Sequence, residues 1–354
     1  MVVMLGIGVW TSRKIHDTHD YILAGKRLGW WLSIGTIFAT WFGAETCMGS
    51  SRTAYEKGIL GVIADPFGAA LCLILAGLFF AKFFHDKNYK TLVDYFDQRF
   101  GRWAAGLLSV LYIPVYVGWV GAQLLAFGII LNSVTGIEPM TAIIISTAVV
   151  IVYTYMGGMW AVSVTDLVQM LILIAGFLVL FPILYFEVGG FGSLRAQLPP
   201  EMFHFWPRQG STLDWLMYLQ AWMLVGLGSL PGQDLFQRLM SPRSAHVAKW
   251  SALIAGVLYV VIGLFPVLMG MMGRIALPTV GRSESILIDL ARAYLPLPMI
   301  ALMLGALLSA IMSTVSAALL APASIIGHNI IPFFYPRISE SAKLQWCKNG
   351  IWII

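Results

Sequence analysis

The chain has 354 residues, 59% of them hydrophobic and only 11% charged, with a formal net charge of +5. A soluble domain carries about 25% charged residues, so this composition excludes a soluble enzyme and indicates a protein whose solvent is lipid. A basic balance in such a chain belongs to cytoplasmic loops, which argues against nucleic acid as a partner.

Long apolar runs bounded by charge, Pro or Gly predict membrane spans at about 1–11, 29–54, 60–84, 103–132, 139–156, 160–187, 213–236, 248–272 and 297–330. A tenth is predicted to begin near Asn349. Repeated spans make the chain a multi-pass protein of the cell membrane. Alternating crossings gather the loops around Arg13 to Arg27, Lys82 to Arg102, Arg238 to Lys249 and Arg337 to Lys348 on one side, and these hold fifteen of the 22 Lys and Arg residues. By the positive-inside rule that side is cytoplasmic.

The second span is interrupted. Gly43 and Gly49 bracket Glu45 where a helix should be continuous, and broken backbone at membrane depth is tolerated only beside protein or a water-filled cavity. Glu45 and Arg52, seven apart, pair with each other or with neighbouring helices. Asp65 precedes Pro66, which fits either a helix cap with proline at the first helical position or a contact to solute. Trp41, Trp119 and Trp222 fall deep in their spans and are candidates to line a cavity, where with Asp65 they suit a cation or zwitterion. Asp166 shares a polar face with Ser163 and Gln169; it reads either as a charge near a helix start after Gly157-Gly158 or as part of an ion path.

The seventh span carries Gly226, Gly228, Pro231 and Gly232, a second interruption five spans after the first. Gly/Pro-broken spans at matching positions of two halves mark inverted-repeat transporters. Asp234, just beyond it, reads as an ion-pair partner of Arg238 rather than a ligand. In the ninth span, Ser309, Ser313 and Ser316 fall at i, i+4 and i+7, and Ala310, Ser313 and Thr314 at i, i+3 and i+4, inside an uncharged run from Leu297 to Gly327. One such hydroxyl ordinarily bonds its own backbone. Four on one face form a stripe of oxygens able to strip water from a small hard cation.

Catalytic groupings are missing. Cys47, Cys72 and Cys347 form no CxxC pair, and no HExxH, GxxxxGK[ST] or GxSxG occurs. The expected protein is not an enzyme, and no metal other than sodium is expected.

The sequence resembles the sodium:solute symporter family. The marks are Asp20 to Arg27 (DYILAGKR), Ala44-Glu45 in the broken span, the long stretch from Tyr153 to Gln169 (YTYMGGMWAVSVTDLVQ), Gln237-Arg238, and Ser309 to Ser316 (SAIMSTVS). The resemblance implies an all-α LeuT-type bundle of two inverted five-helix repeats in a single transmembrane transporter domain over 1–354. Family members continue past residue 354, so the second repeat is expected to be incomplete. It further implies sodium held by backbone carbonyls of Ala39, Phe42 and Ala310 and by the hydroxyls of Ser313 and Thr314. Members with a second sodium use an aspartate matching Asp166 and hydroxyls matching Ser313, Ser316 and the next residue. Here that residue is Ala317, which argues against a second sodium. Sugar-transporting members carry a glutamine, a glutamate and an aromatic gate where this chain has Thr46, Asp65 and Gly228. The expected function is therefore sodium-coupled import of a small polar organic solute (an amine, zwitterion or carboxylate rather than a sugar), with Glu45, Thr46, Asp65, Trp119 and Trp222 around the solute. The alternative is a transporter-derived membrane sensor that binds solute without moving it.

Overall fold

The computed structural model describes residues 1–87, 89–208, 210–279 and 283–354, with the backbone alone at 134. The described chain is almost entirely helical; its one β contact is an isolated bridge between Leu28 and Pro242. Among the described residues, five helices are long and apolar enough to cross a membrane: α5 (Ile59–His85), α7 (Arg102–Thr135), α8 (Pro139–Glu187), α12 (Ala245–Ala276) and α14 (Leu297–Phe334). The remaining spans are assembled from shorter pieces. These are α1 (Val2–Ser12), the pair α3 (Trp30–Trp41) and α4 (Ser50–Lys57), and the pair α10 (Thr212–Gly226) and α11 (Gln233–Met240). Between them lie α2 (Thr18–Leu23), α6 (Leu92–Phe100), α9 (Gly190–Gln197) and α13 (Ile286–Tyr294) outside the long spans.

Both expected interruptions occur. α3 stops at Trp41, and Phe42 adopts φ −76°, ψ 65°, an inverse γ-turn in which Gly43 N–H donates to the Trp41 carbonyl at 2.8 Å. The second lies between α10 and α11, where residues 227–232 form successive turns. A third break divides α8. Its 49 residues would run about 74 Å as one straight helix, more than twice the hydrocarbon thickness. Gly158 interrupts it with φ +47°, ψ −136°, and a Cβ there would lie 2.6 Å from the Tyr21 ring. The predicted spans 139–156 and 160–187 are the two halves.

The last helix differs from expectation. α15 runs Glu340–Ile353, nine residues ahead of the predicted start at Asn349, with the Ser339 hydroxyl accepting from Ala342 N–H at 3.3 Å. Hydropathy hides its first turns because they are polar, and they bond to α2 and to the segment ahead of α6. Glu340 accepts from the Thr18 hydroxyl and from Lys90 Nζ at 2.9 Å. Those bonds, the Thr18 hydroxyl first, hold its carboxyl down at about 2.

α14 is the central element: every residue from Ser309 to Ile325 is buried, a length over which lipid touches nothing. Its C-terminal end is tied to α6. Thr91 and Asp94 form a capping box, and Asp94 Oδ1 accepts from Asn329 Nδ2 at 2.8 Å while its Oδ2 accepts from Lys90 N–H at 2.8 Å and meets His328 Nε2 at 3.2 Å. Burial works to raise the Asp94 carboxyl, but these donors outweigh it and hold the group at about 2.

Candidate functional site

The first interruption frees backbone. In a continuous helix Gly43 N–H would bond the Ala39 carbonyl; here it bonds Trp41, and the Ser313 hydroxyl donates to Ala39 O at 2.9 Å. The same hydroxyl lies 2.6 Å from Asp166 Oδ1, and Asp166 Oδ2 accepts from the Thr36 hydroxyl at 2.5 Å. Ser313 has one hydrogen for two acceptors. Three oxygens from three helices thus converge with a single proton among them, in fully buried surroundings. Thr314 lies beside them: a Cβ on Gly43 would come within 2.5 Å of its hydroxyl, so glycine lets the break approach α14. That hydroxyl donates to the Ala310 carbonyl at 3.3 Å.

Gln123 of α7 holds the unwound segment. Its Oε1 accepts from Ala44 N–H at 3.0 Å and its Nε2 donates to Glu45, and the side chain is fully buried. Glu45 also accepts from Trp119 Nε1 at 3.0 Å. It does not pair with Arg52, which bonds Glu56 at 3.1 Å and Glu284 at 2.8 Å.

Between the two interruptions lies a cavity of about 520 Å³. Its walls are aromatic: Trp41, Tyr112, Tyr116, Trp119 and Tyr259. Three carboxylates line it, Glu45, Asp65 and Asp234. Asp65 Oδ2 accepts from the Thr46 hydroxyl at 2.7 Å, and that hydroxyl is 2.7 Å from the Tyr259 hydroxyl. Asp234 accepts from Trp41 Nε1 and from the Tyr116 hydroxyl, both at 2.5 Å. Because Tyr116 also accepts from Asp234 N–H at 3.0 Å, its own proton is directed to the carboxylate.

The sequence-derived residues therefore fall into three groups. Ala39, Phe42, Ala310, Ser313, Thr314 and Asp166 come together at the junction of α3, α8 and α14, with Asp166 eight residues past Gly158 and bonded to side chains rather than to a helix end. Ser316 belongs to the same buried stripe, but its hydroxyl donates to the Ser313 carbonyl at 2.9 Å and not toward Asp166. Glu45, Asp65 and Trp119 line the cavity, with Thr46 directly behind Asp65. Asp65 has the extended backbone of a capping position (φ −145°, ψ 121°), but one carboxylate oxygen accepts from Thr46 and the other has no partner, so its side chain caps no helix.

Trp222 stands apart. It packs in an outer aromatic cluster, with ring centroids 6.2 Å from Phe205, 6.4 Å from Tyr218 and 6.5 Å from Phe67, and does not line the cavity. The expectation that Trp222 lines the cavity is not met. Asp234 is the opposite case: among the described residues no ion pair joins its carboxylate to Arg238, which donates from Nη1 to the Asp234 backbone carbonyl at 3.1 Å. Sequence reading missed Gln123 and Tyr116. The signal was there, since Tyr112, Tyr116, Trp119 and Gln123 fall at i, i+4, i+7 and i+11 of one largely apolar span.

Residues 21–354 match the sodium:solute symporter family. Among curated relatives, the high-affinity choline transporter 1 of Caenorhabditis elegans is 29% identical over 93% of this chain and 61% of its own length. The human high affinity choline transporter 1 is 26% identical over 98% of this chain and 63% of its own. The high-affinity proline transporter PutP of Bacillus subtilis is 28% identical over 96% and 74%. The chain thus spans about three fifths of the length of the choline transporters it matches. Among solved structures, the substrate-bound outward-open state of a Na+-coupled sialic acid symporter superposes with a TM-score of 0.88 at 23% identity, covering 99% of this chain and 76% of that one. The two share a fold.

Proposed function

The chain belongs to the sodium:solute symporter family, and on that premise we propose that it couples sodium entry to the import of a small organic cation by alternating access. Sodium is the coupling ion of the family and the protein is a multi-pass membrane protein. The observation that carries the reading at the ion site is the convergence of Ala39 O, Ser313 Oγ and Asp166 Oδ1 with one proton among them. A bound cation relieves that shortage. Its ligands would be the Ala39, Phe42 and Ala310 carbonyls and the Ser313 and Thr314 hydroxyls, with Asp166 on the inward path toward cytoplasmic water.

The solute would lie in the cavity against Glu45, Asp65 and Trp119, with Thr46 orienting Asp65. Aromatic walls and carboxylates attract a cation by ring quadrupole and by charge. Choline, the solute named for the relatives, is one such cation. We take the two interruptions as equivalent elements of two inverted repeats within one transporter domain, so that the ion sits where the first meets α14 and the solute sits between both. Coupling requires that sodium bind the outward-facing state more tightly than the inward-facing one, since equal affinity shifts nothing.

Uptake of labelled choline into proteoliposomes, with an inward sodium or potassium gradient, tests the reading. Sodium-stimulated uptake that disappears in Ser313→Ala is the expected result. Uptake with unaltered sodium dependence in that variant would reject the ion site.

A further inference from the structure

Two sequence features stand outside the ion and solute sites: the Asp20 to Arg27 segment, and Trp160, two residues past the break in α8. The structure brings them together at the end of α1. Lys14 Nζ lies 4.2 Å from the ring centroid of Trp10 and 4.3 Å from that of Trp160, and Arg27 Cζ lies 5.6 Å from the same Trp160 centroid. Three parts of the chain supply the group: the end of α1, the strap between α2 and α3, and the second half of α8.

The arrangement is built, and its charges do not balance. Gly25 takes φ +62°, and a Cβ there would lie 2.7 Å from both Arg27 Nε and Asp20 Oδ1, so glycine lets the guanidinium fold back onto its carboxylate. Asp20 is then spent: Oδ1 accepts from Arg27 Nη2 and Oδ2 from His16 N–H at 3.2 Å. Among the described residues Lys14 Nζ makes no hydrogen bond and no ion pair, and Arg27 bonds through Nη2 alone. Two cations thus share one indole, with one carboxylate for both. Burial, and then repulsion by the Arg27 guanidinium, lower the Lys14 ammonium from its ordinary 10.5.

α1 shows what kind of anion fits. Its Gly8 and Thr11 face packs on Tyr153 and Gly157 of α8, while Val2, Val3, Gly6, Val9 and Trp10 form the opposite, exposed face, which ends beside Lys14. In a multi-pass membrane protein such an apolar face meets acyl chains, and cations at its end meet head groups. We propose that Lys14 and Arg27, set in place by Trp10 and Trp160, bind the phosphate of an anionic phospholipid whose acyl chains lie along the exposed face of α1. Phosphate oxygens accept from the ammonium and from the guanidinium nitrogens that Asp20 leaves open. A zwitterionic head group is disfavoured, because the rings that would take its ammonium already carry cations.

Titration of the purified protein in neutral detergent with dioctanoyl phosphatidylglycerol, dioctanoyl phosphatidylcholine and inorganic phosphate, read by native mass spectrometry, tests the proposal. Phosphatidylglycerol is expected to bind about tenfold tighter than phosphatidylcholine, and inorganic phosphate at equal concentration is expected not to displace it. In Lys14→Gln its dissociation constant should rise about fivefold, the effect of one cation near a membrane surface, and Lys14→Arg, which keeps the charge, should hold it within about twofold of the original. Lys348→Gln controls for lost charge alone. Lys348 lies 5.9 Å from the Tyr155 ring centroid with no second cation over that ring among the described residues, and its loss should change binding by less than about twofold. Equal binding of the two lipids, displacement by inorganic phosphate, or equal losses in Lys14→Gln and Lys348→Gln would overturn the proposal. If Lys14→Gln does not fold, Trp10→Ala at its exposed position decides: phosphatidylglycerol weakened about threefold supports the site, and unaltered binding overturns it.

Discussion

The two interruptions are built by different means. At the first, a γ-turn at Phe42 leaves the Ala39 carbonyl to a side chain of another helix, and the segment is held by Gln123 and by close contact with Thr314. At the second, residues 227–232 largely satisfy themselves through local turns, such as Gly232 N–H to the Ser229 carbonyl at 3.0 Å, and outside help comes from Tyr112 and Tyr116. The first break exports its unsatisfied groups; the second keeps them. That is why the oxygens of the proposed ion site collect at one, while the other supplies a wall of the cavity proposed for the solute. Both are nevertheless held by the same face of α7, with Gln123 at one break and Tyr112 and Tyr116 at the other.

The comparison is broken most severely by removing the exported groups' partners. Ser313→Ala with Thr314→Ala is expected to lower sodium affinity of uptake at least a hundredfold, read from the sodium dependence of initial rates. Gln123→Leu leaves Ala44 N–H unpaired and Glu45 with one donor fewer, at a cost of about 1–3 kcal/mol. Its thermal midpoint in detergent should fall, and sodium affinity with it, while a matching substitution at the self-contained second break should spare sodium. Tyr116→Phe provides that match. It withdraws one donor from Asp234 and is expected to weaken solute binding by up to about tenfold, near 1 kcal/mol, with sodium affinity unchanged. An equal loss of sodium affinity would mean the breaks are not independent. Trp222→Ala, in the outer aromatic cluster, is expected to alter solute affinity less than threefold; a larger loss would return Trp222 to the solute site.

A pH series sharpens the comparison from outside the membrane. Because the Asp94 carboxyl is held at about 2 against its ordinary 3.8, the folded protein takes up its proton later than the unfolded chain. Its contribution, about 2 kcal/mol, is complete above pH 4 and lost as pH falls from there toward 2. Asp94→Asn should lower the thermal midpoint at neutral pH and flatten its decline in acid.

Much of this was legible in the residue order. Apolar runs located the spans, Gly43 and the Gly228-Pro231-Gly232 cluster located the interruptions, and the hydroxyl spacing on α14 identified the face that meets Ala39. What escaped were pairings across long stretches of chain. Nothing near Asp234 announces Trp41 or Tyr116, and Arg238, four residues on, is the partner that local spacing offers. Trp222 and Trp119 are alike in depth and composition of neighbours, and only packing decides which one faces the cavity. The start of α15 was hidden because polar first turns read as loop until their bonds to Thr18 and Lys90 are seen.

The tie between Asp94 and the foot of α14 has a mechanical meaning. The helix that offers Ser313 and Thr314 at its middle is moored at one end through His328 and Asn329, so in the proposed transport cycle a swing of those alcohols away from Ala39 is expected to load the contacts to Asp94 some twenty angstroms away. Departure of the ion and slackening of the mooring would register together, as faster amide exchange in α6 whenever the inward-facing form is populated.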